Sequence, residues 1–153
     1  MKTPGFFDTF LDRFFYSMKS IKLKAALQGV LPPEDVTQVV RGYDIIGDIA
    51  IITIPEKLQC NMMKIAETVL RTVSGVRIVA EKEGKRCGQF RVAPLVKLAG
   101  EGGFETLHKE FGLFLHVDPS LVYFSPRSAS ERHRIACSVS AGEHVLVMFS
   151  GIA

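Results

Sequence analysis

An α+β fold with a mixed sheet and packed helices is the architecture that this 153-residue sequence predicts. Three observations carry the expectation. "YDIIGDIAIITIP" alternates isoleucines around Gly47-Asp48, the pattern of a tight hairpin. "EKLQCNMMKIAETVLRTV" switches to a helical period. Strands and single helices then follow in mixed order, without regular βαβ repeats. Only the end departs from this, with a helix and a strand-like run of the kind that opens a nucleotide-type α/β domain.

Each element has its own local reason. Phe7, Phe10, Leu11, Phe14, Phe15 and Met18 recur at three- and four-residue spacing and predict one apolar helical face. Such a face suits docking on the core of this domain, or on a domain outside this chain. "SIKLKAALQGVLPPED" predicts a short second helix closed by Gly29, with Pro32-Pro33 as a breaker. In the first hairpin, Gly47 supplies the positive φ of a type II′ turn and Pro55 ends the second strand. The helix over 56–73 buries Leu58, Met62, Ile65, Ala66, Val69 and Leu70, and Ser74-Gly75 stops it. "VRIVAEK" is a short strand. "EGKRCGQFRVAPLVKLAGEGG" reads as a loop-rich stretch. "FETLHKEFGLFLHVDP" predicts two strands around a Phe111-Gly112 turn, and "SASERHRIACSVS" predicts a helix. Val145 to Phe149 predict a last buried strand, with a turn at Ser150-Gly151. Both hairpins are expected in one mixed sheet packed by the 56–73 helix.

Composition narrows the class. Apolar content of 47%, charged content of 23% and a net charge of +3 are ordinary for a globular domain. The mild basicity permits an acidic partner such as RNA without demanding one. Cys60, Cys87 and Cys137 lie far apart, and His108, His116, His133 and His144 lack ligand spacing. No disulfide frame and no metal site are expected. No apolar run reaches the roughly 18 residues of a membrane span, and Asp8, Asp12 and Arg13 interrupt any signal-peptide core. A cytoplasmic protein with no membrane partner is the expectation.

Three stretches carry more chemistry than a scaffold needs. "GQFRVAPLVKLAGE" sets Arg91 among apolar neighbours in a glycine-flanked segment. "ETLHKE" places His108 and Lys109 beside two carboxylates. "VYFSPRSASERHR" gathers Tyr123, Phe124, Pro126, Arg127, Glu131, Arg132 and Arg134. Aromatic faces suit a nucleobase, and forked guanidinium groups suit phosphate or a purine edge. The same residues also suit a capped helix with a solvated charged face and weak ion pairs.

Taken in order and spacing, "YDIIGDIAIITIPE", "GQFRVAPLVKLAGE", "ETLHKEFGLFLHVDPSLVYFSPRSASERHR" and "VLVMFSG" resemble the archaeal and eukaryotic tRNA (guanine-N1)-methyltransferases. The resemblance covers about residues 40 to 151. It implies methyl transfer from S-adenosylmethionine to N1 of the guanosine just 3′ of the anticodon, with tRNA as partner. It also implies three regions: an N-terminal helical segment (1–33), an intermediate α+β domain (34–121), and the first helix and strand of a Rossmann-like methyltransferase domain (122–153). That domain is expected to be incomplete, because the family's glycine turn continues past Gly151. The 153-residue chain is therefore expected to be inactive, to bind no cofactor by itself, and to be able to self-associate through the surface left exposed.

The resemblance also implies roles. Arg91 matches the arginine that steadies charge on the guanine O6, and Glu131 matches the general base for N1. Tyr123 and Arg132 match positions around the methyl donor, with Phe124 and Ser125 in the same motif and Gly151 as the first glycine of the cofactor turn. Lys109, Arg127 and Arg134 are then the candidates for tRNA phosphates. Ala93-Pro94 replace the family's usual Arg-Glu, and Val147 replaces a usual Asp. The related wyosine-pathway aminocarboxypropyltransferases tend to lose the tyrosine and arginine of "YFSPR", so Tyr123 and Arg127 favour methyl transfer. A non-catalytic RNA-binding module is the alternative of a different class.

Overall fold

The computed structural model describes residues 23–39, 43–84, 92–148 and 152. The predicted N-terminal aromatic helix, Arg91 and Gly151 lie outside these residues. Helix α1 (23–27) leads through a turn into α2 (Pro33–Gln38). Then come strands β1 (Asp44–Ile46) and β2 (Ile49–Ile52), a short 3₁₀ helix (Glu56–Asn61) and α3 (Met62–Thr72). Strands β3 (Ile78–Lys82), β4 (Leu95–Gly100), β5 (Thr106–Glu110) and β6 (Leu113–Val117) follow. A second 3₁₀ turn (Pro126–Ser128) and α4 (Ala129–Ala136) complete the order.

The main sheet runs β1-β2-β3-β4, with β2 and β3 parallel and the outer pairs antiparallel. Every residue of β2 is buried, because the sheet is covered on both faces. Ala50, Ile52 and Val79 pack with Leu58, Ile65, Ala66 and Val69 on the helical side. Ile46, Ile49, Ile51, Ile78 and Ala80 pack with Val117 on the other, where Leu115, Val122 and Phe124 complete the layer. The sequence-predicted helix over 56–73 is present as that 3₁₀ segment followed by α3; Leu58, Ile65, Ala66 and Val69 are buried as expected, whereas Met62 and Leu70 are only partly buried.

Four sequence expectations are corrected. Pro33 begins a helix as well as ending one: its fixed φ suits the first helical turn, and Glu34 and Asp35 follow it there. The stretch read as loop-rich contains β4, an edge strand whose one buried residue, Leu98, gives too little alternation to recognise. The two hairpins do not share a sheet, since β5 and β6 form a separate two-stranded sheet. Alternation shows which side chains point inward, but cannot tell edge pairing from packing across a face. Finally, residues 144–147 form no strand, and Leu146 is 85% exposed. An apolar run becomes a strand only where another strand supplies its hydrogen bonds.

Candidate functional site

The second hairpin builds the site. Its turn places Phe111 at φ +46 and Gly112 at φ +84, the sign pattern of a type I′ turn. Phenylalanine seldom adopts this backbone. Here its ring stacks on His133 of α4, with centroids 4.1 Å apart and planes at 10°. Strand alternation then divides the hairpin. His108 and Glu110 face inward toward Phe124 and α4, while Leu107 and Lys109 face out.

The inward side forms a bonded cluster. Arg132 donates from Nε (2.8 Å) and Nη2 (2.6 Å) to the two carboxylate oxygens of Glu110, and Nη2 also donates to the Ser125 carbonyl (3.0 Å). Its guanidinium carbon lies 4.7 Å from the Phe124 ring centroid. The His108 ring meets the same phenylalanine edge-on at 5.0 Å. With its side chain only 9% exposed, Glu110 is held below the usual carboxylate range, first by the Arg132 hydrogen bond and against the opposing effect of burial.

His108 joins this cluster to the main sheet. The Gly47 amide donates to His108 Nδ1 at 3.0 Å, so Nδ1 carries no proton. The proton of the neutral ring therefore sits on Nε2, 3.7 Å from Glu110 Oε2. Burial lowers the His108 pKa first; Glu110 opposes the shift and Arg132 reinforces it. Beside it, the Asp48 amide donates to Thr106 Oγ1 (3.1 Å), and the Thr106 hydroxyl donates to Asp48 Oδ1 (2.7 Å). Arg77 bridges Asp48 (2.7 Å) and the carbonyls of Glu101, Gly103 and Glu105. Gly47, at φ +56, has no room for a Cβ against Thr106 and Leu107, which explains why this turn needs glycine.

The sequence-selected residues do not all come together. Phe124, Ser125 and Arg132 come together in the cluster. Glu131 and Arg134 pair with each other on the outer side of α4, where Arg134 donates to both carboxylate oxygens at 2.7 and 2.8 Å. That hydrogen bond keeps the Glu131 pKa low. Arg127 instead donates to Asp44 of β1 at 2.8 Å. Tyr123 is exposed at the start of the motif. Lys109 lies 5.5 Å from the Phe114 ring on the far face of the hairpin. The anchoring roles of Glu110 and His108 were missed in the sequence. Two-residue spacing from Thr106 was the available signal, placing all three on one strand face. Nothing in the sequence signals the Asp48–Arg77 pair. Among the described residues, no group of three or more His, Cys, Asp or Glu is placed to hold a metal, and no helix is long and apolar enough to cross a membrane.

Two family models match consecutive parts of the chain. The TYW2 N-terminal domain matches residues 23–103, and the TRM5/TYW2 methyltransferase domain matches residues 106–153. The tRNA (guanine(37)-N(1))-methyltransferase Trm5b of Pyrococcus abyssi is 42% identical over 110 residues, covering 72% of this chain and 33% of that protein. The chain thus spans about a third of the length of this curated relative. Among solved structures, the complex of aTrm5 and tRNALeu matches 78% of this chain and 36% of its own, with a TM-score of 0.68 and 32% identity. P. horikoshii TYW2 in complex with MeSAdo matches 78% and 40%, with a TM-score of 0.60 and 27% identity.

Proposed function

Because this chain belongs to the TRM5/TYW2 methyltransferase family, we propose that it serves a tRNA (guanine-N1)-methyltransferase acting at the guanosine 3′ of the anticodon. The activity is proposed for a protein of the relatives' length. S-adenosylmethionine is the proposed donor and supplies a methyl group on a sulfonium centre. Tyr123 fits such a group, since its exposed ring offers an adenine a stacking face. Phe124 and Ser125 sit beside it, held by Arg132, and Gly151 belongs to the same proposed site.

The observation that carries the reading is the Glu110–Arg132–Ser125 clamp. It fixes the motif from Tyr123 to Ser125 relative to α4, which carries Glu131. In the proposed reaction Arg91 donates to the guanine O6 as charge develops there, and Glu131 accepts the N1 proton. Glu131 is a weak base while Arg134 holds it ionised, so guanine binding has to displace that pair. Lys109, Arg127 and Arg134 meet tRNA phosphates.

The test is a chimera in which this chain replaces the matching part of the Pyrococcus abyssi relative. Primer extension should show a stop at the modified guanosine that depends on S-adenosylmethionine, and Glu131→Gln should abolish most of it while tRNA affinity holds. A chimera that binds tRNA but transfers nothing, with this chain folded, rejects the reading. Aminocarboxypropyl transfer is the second reading, favoured by the match of residues 23–103 to the TYW2 N-terminal domain. The mass of the product nucleoside separates the two.

A further inference from the structure

The outward face of the second hairpin plays no part in the cluster. Register pairs Leu107 with His116 and Lys109 with Phe114, so these four side chains share one face. Phe114 is 63% exposed and Leu107 is 55% exposed. The Lys109 ammonium lies 5.5 Å from the Phe114 centroid. Within the two strands, the one carboxylate, Glu110, is turned to the other side and bound by Arg132, and exposed Glu105 lies at the far end of the face, four residues before Lys109. A groove runs beside the face, lined by Ile45, Gly47, Asp48, Thr106, Leu107 and Lys109 among others. Its carboxylate, Asp48, is bridged by Arg77.

We propose that this face is a stacking platform for unpaired nucleotides of an RNA, with Phe114 as the stacking ring and Lys109 as the partner of the adjoining phosphate. The occupant follows from charge and shape. A cation beside an exposed aromatic ring suits an anionic polymer that also carries flat π surfaces. Lys109 and His116 separate the apolar groups, so the face lacks the continuous apolar patch that a subunit interface or a membrane needs. Strand alternation holds Phe114 upright on a hairpin anchored from behind by Glu110–Arg132 and at its tip by Phe111–His133. The ring is therefore pre-positioned, and little ordering is needed when a base arrives. The choice of RNA rests on the tRNA reading above.

The experiment measures binding of the 153-residue chain to a short unstructured RNA containing 2-aminopurine, by quenching and by anisotropy across a salt series. Wild-type protein should quench the probe. Phe114→Ala should weaken binding roughly 5- to 100-fold, Phe114→Trp should restore it, and Lys109→Gln should flatten the salt slope by about 0.7. Equal affinity of Phe114→Ala and wild type overturns the platform, as does an absence of quenching. A concentration-dependent dimer lost in Phe114→Ala also overturns it, assigning the face to a second copy. Binding to anionic vesicles but not RNA does the same in favour of a lipid surface. Since Phe114 is exposed, unchanged circular dichroism is expected, and Lys109→Glu gives an independent check if Phe114→Ala misfolds. The probe is not a methylation substrate, so the platform can fail while the chimera still transfers methyl, and the reverse.

Discussion

Helices α3 and α4 each lie against a β-structure, yet they are held by different forces. Ile65, Ala66, Thr68 and Val69 of α3 are buried against the main sheet, whereas α4 buries no residue. It is fastened instead by Arg132 to Glu110 and by the stacking of His133 on Phe111. The first contact is hydrophobic and hardly depends on pH or salt. The second is directional, fixing the angle of the Tyr123–Ser125 motif, and it responds to any change in charge. Directional contacts set the orientation of α4, while burial sets the stability of the α3 scaffold.

The largest test of this difference lies in the scaffold. Ile49 is fully buried between the layers, and Ile49→Ala should cost about 2–5 kcal/mol in urea denaturation. A loss under about 1 kcal/mol would mean that the layers repack freely. Next comes Glu110→Ala, which leaves Arg132 without its carboxylate and should cost about 1.5–3 kcal/mol. Its effect should be local: amide exchange should accelerate in α4 and the 123–128 segment, with α3 unchanged. Equal acceleration in α3 would erase the proposed distinction.

Acidification gives a smaller and more selective effect. The folded His108 pKa lies below its ordinary value of 6.5, so the unfolded chain binds the proton more readily. Stability from this group is therefore present above pH 6.5 and falls as pH drops toward the folded value. Protonating Nδ1 also removes the acceptor of the Gly47 amide. The folded Glu110 pKa lies below 4.5, so its contribution persists through that first window and is lost as pH falls toward its folded value. Amides of β5 and β6 should lose protection before those of β2. His108→Asn, which can present an acceptor to the Gly47 amide, should remove the upper step; an unchanged profile would exclude His108 as its source.

The smallest stability effect belongs to the exposed Glu131–Arg134 pair. Glu131→Gln should leave the urea midpoint essentially unchanged, because water screens the pair. In the chimera the same substitution is expected to cause a large rate loss. A stability loss as large as that of Glu110→Ala would make Glu131 a structural residue.

Local pattern alone determined both hairpins, the periodic burial of α3, the presence of α4 and the ordered motifs that carry the family resemblance. Each depends on spacing within a short segment, where backbone geometry repeats every two or 3.6 residues. The tertiary structure decided which strands share a sheet, that Leu95–Gly100 is an edge strand, and that residues 144–147 form none. It also decided that Arg132 is bound to Glu110 while Glu131 pairs with Arg134. His108 and Gly47 meet across 61 residues, and Thr106 and Asp48 across 58. No periodicity extends over such distances; these partners are chosen by the path of the whole chain and by the burial that closes the two layers over the sheet.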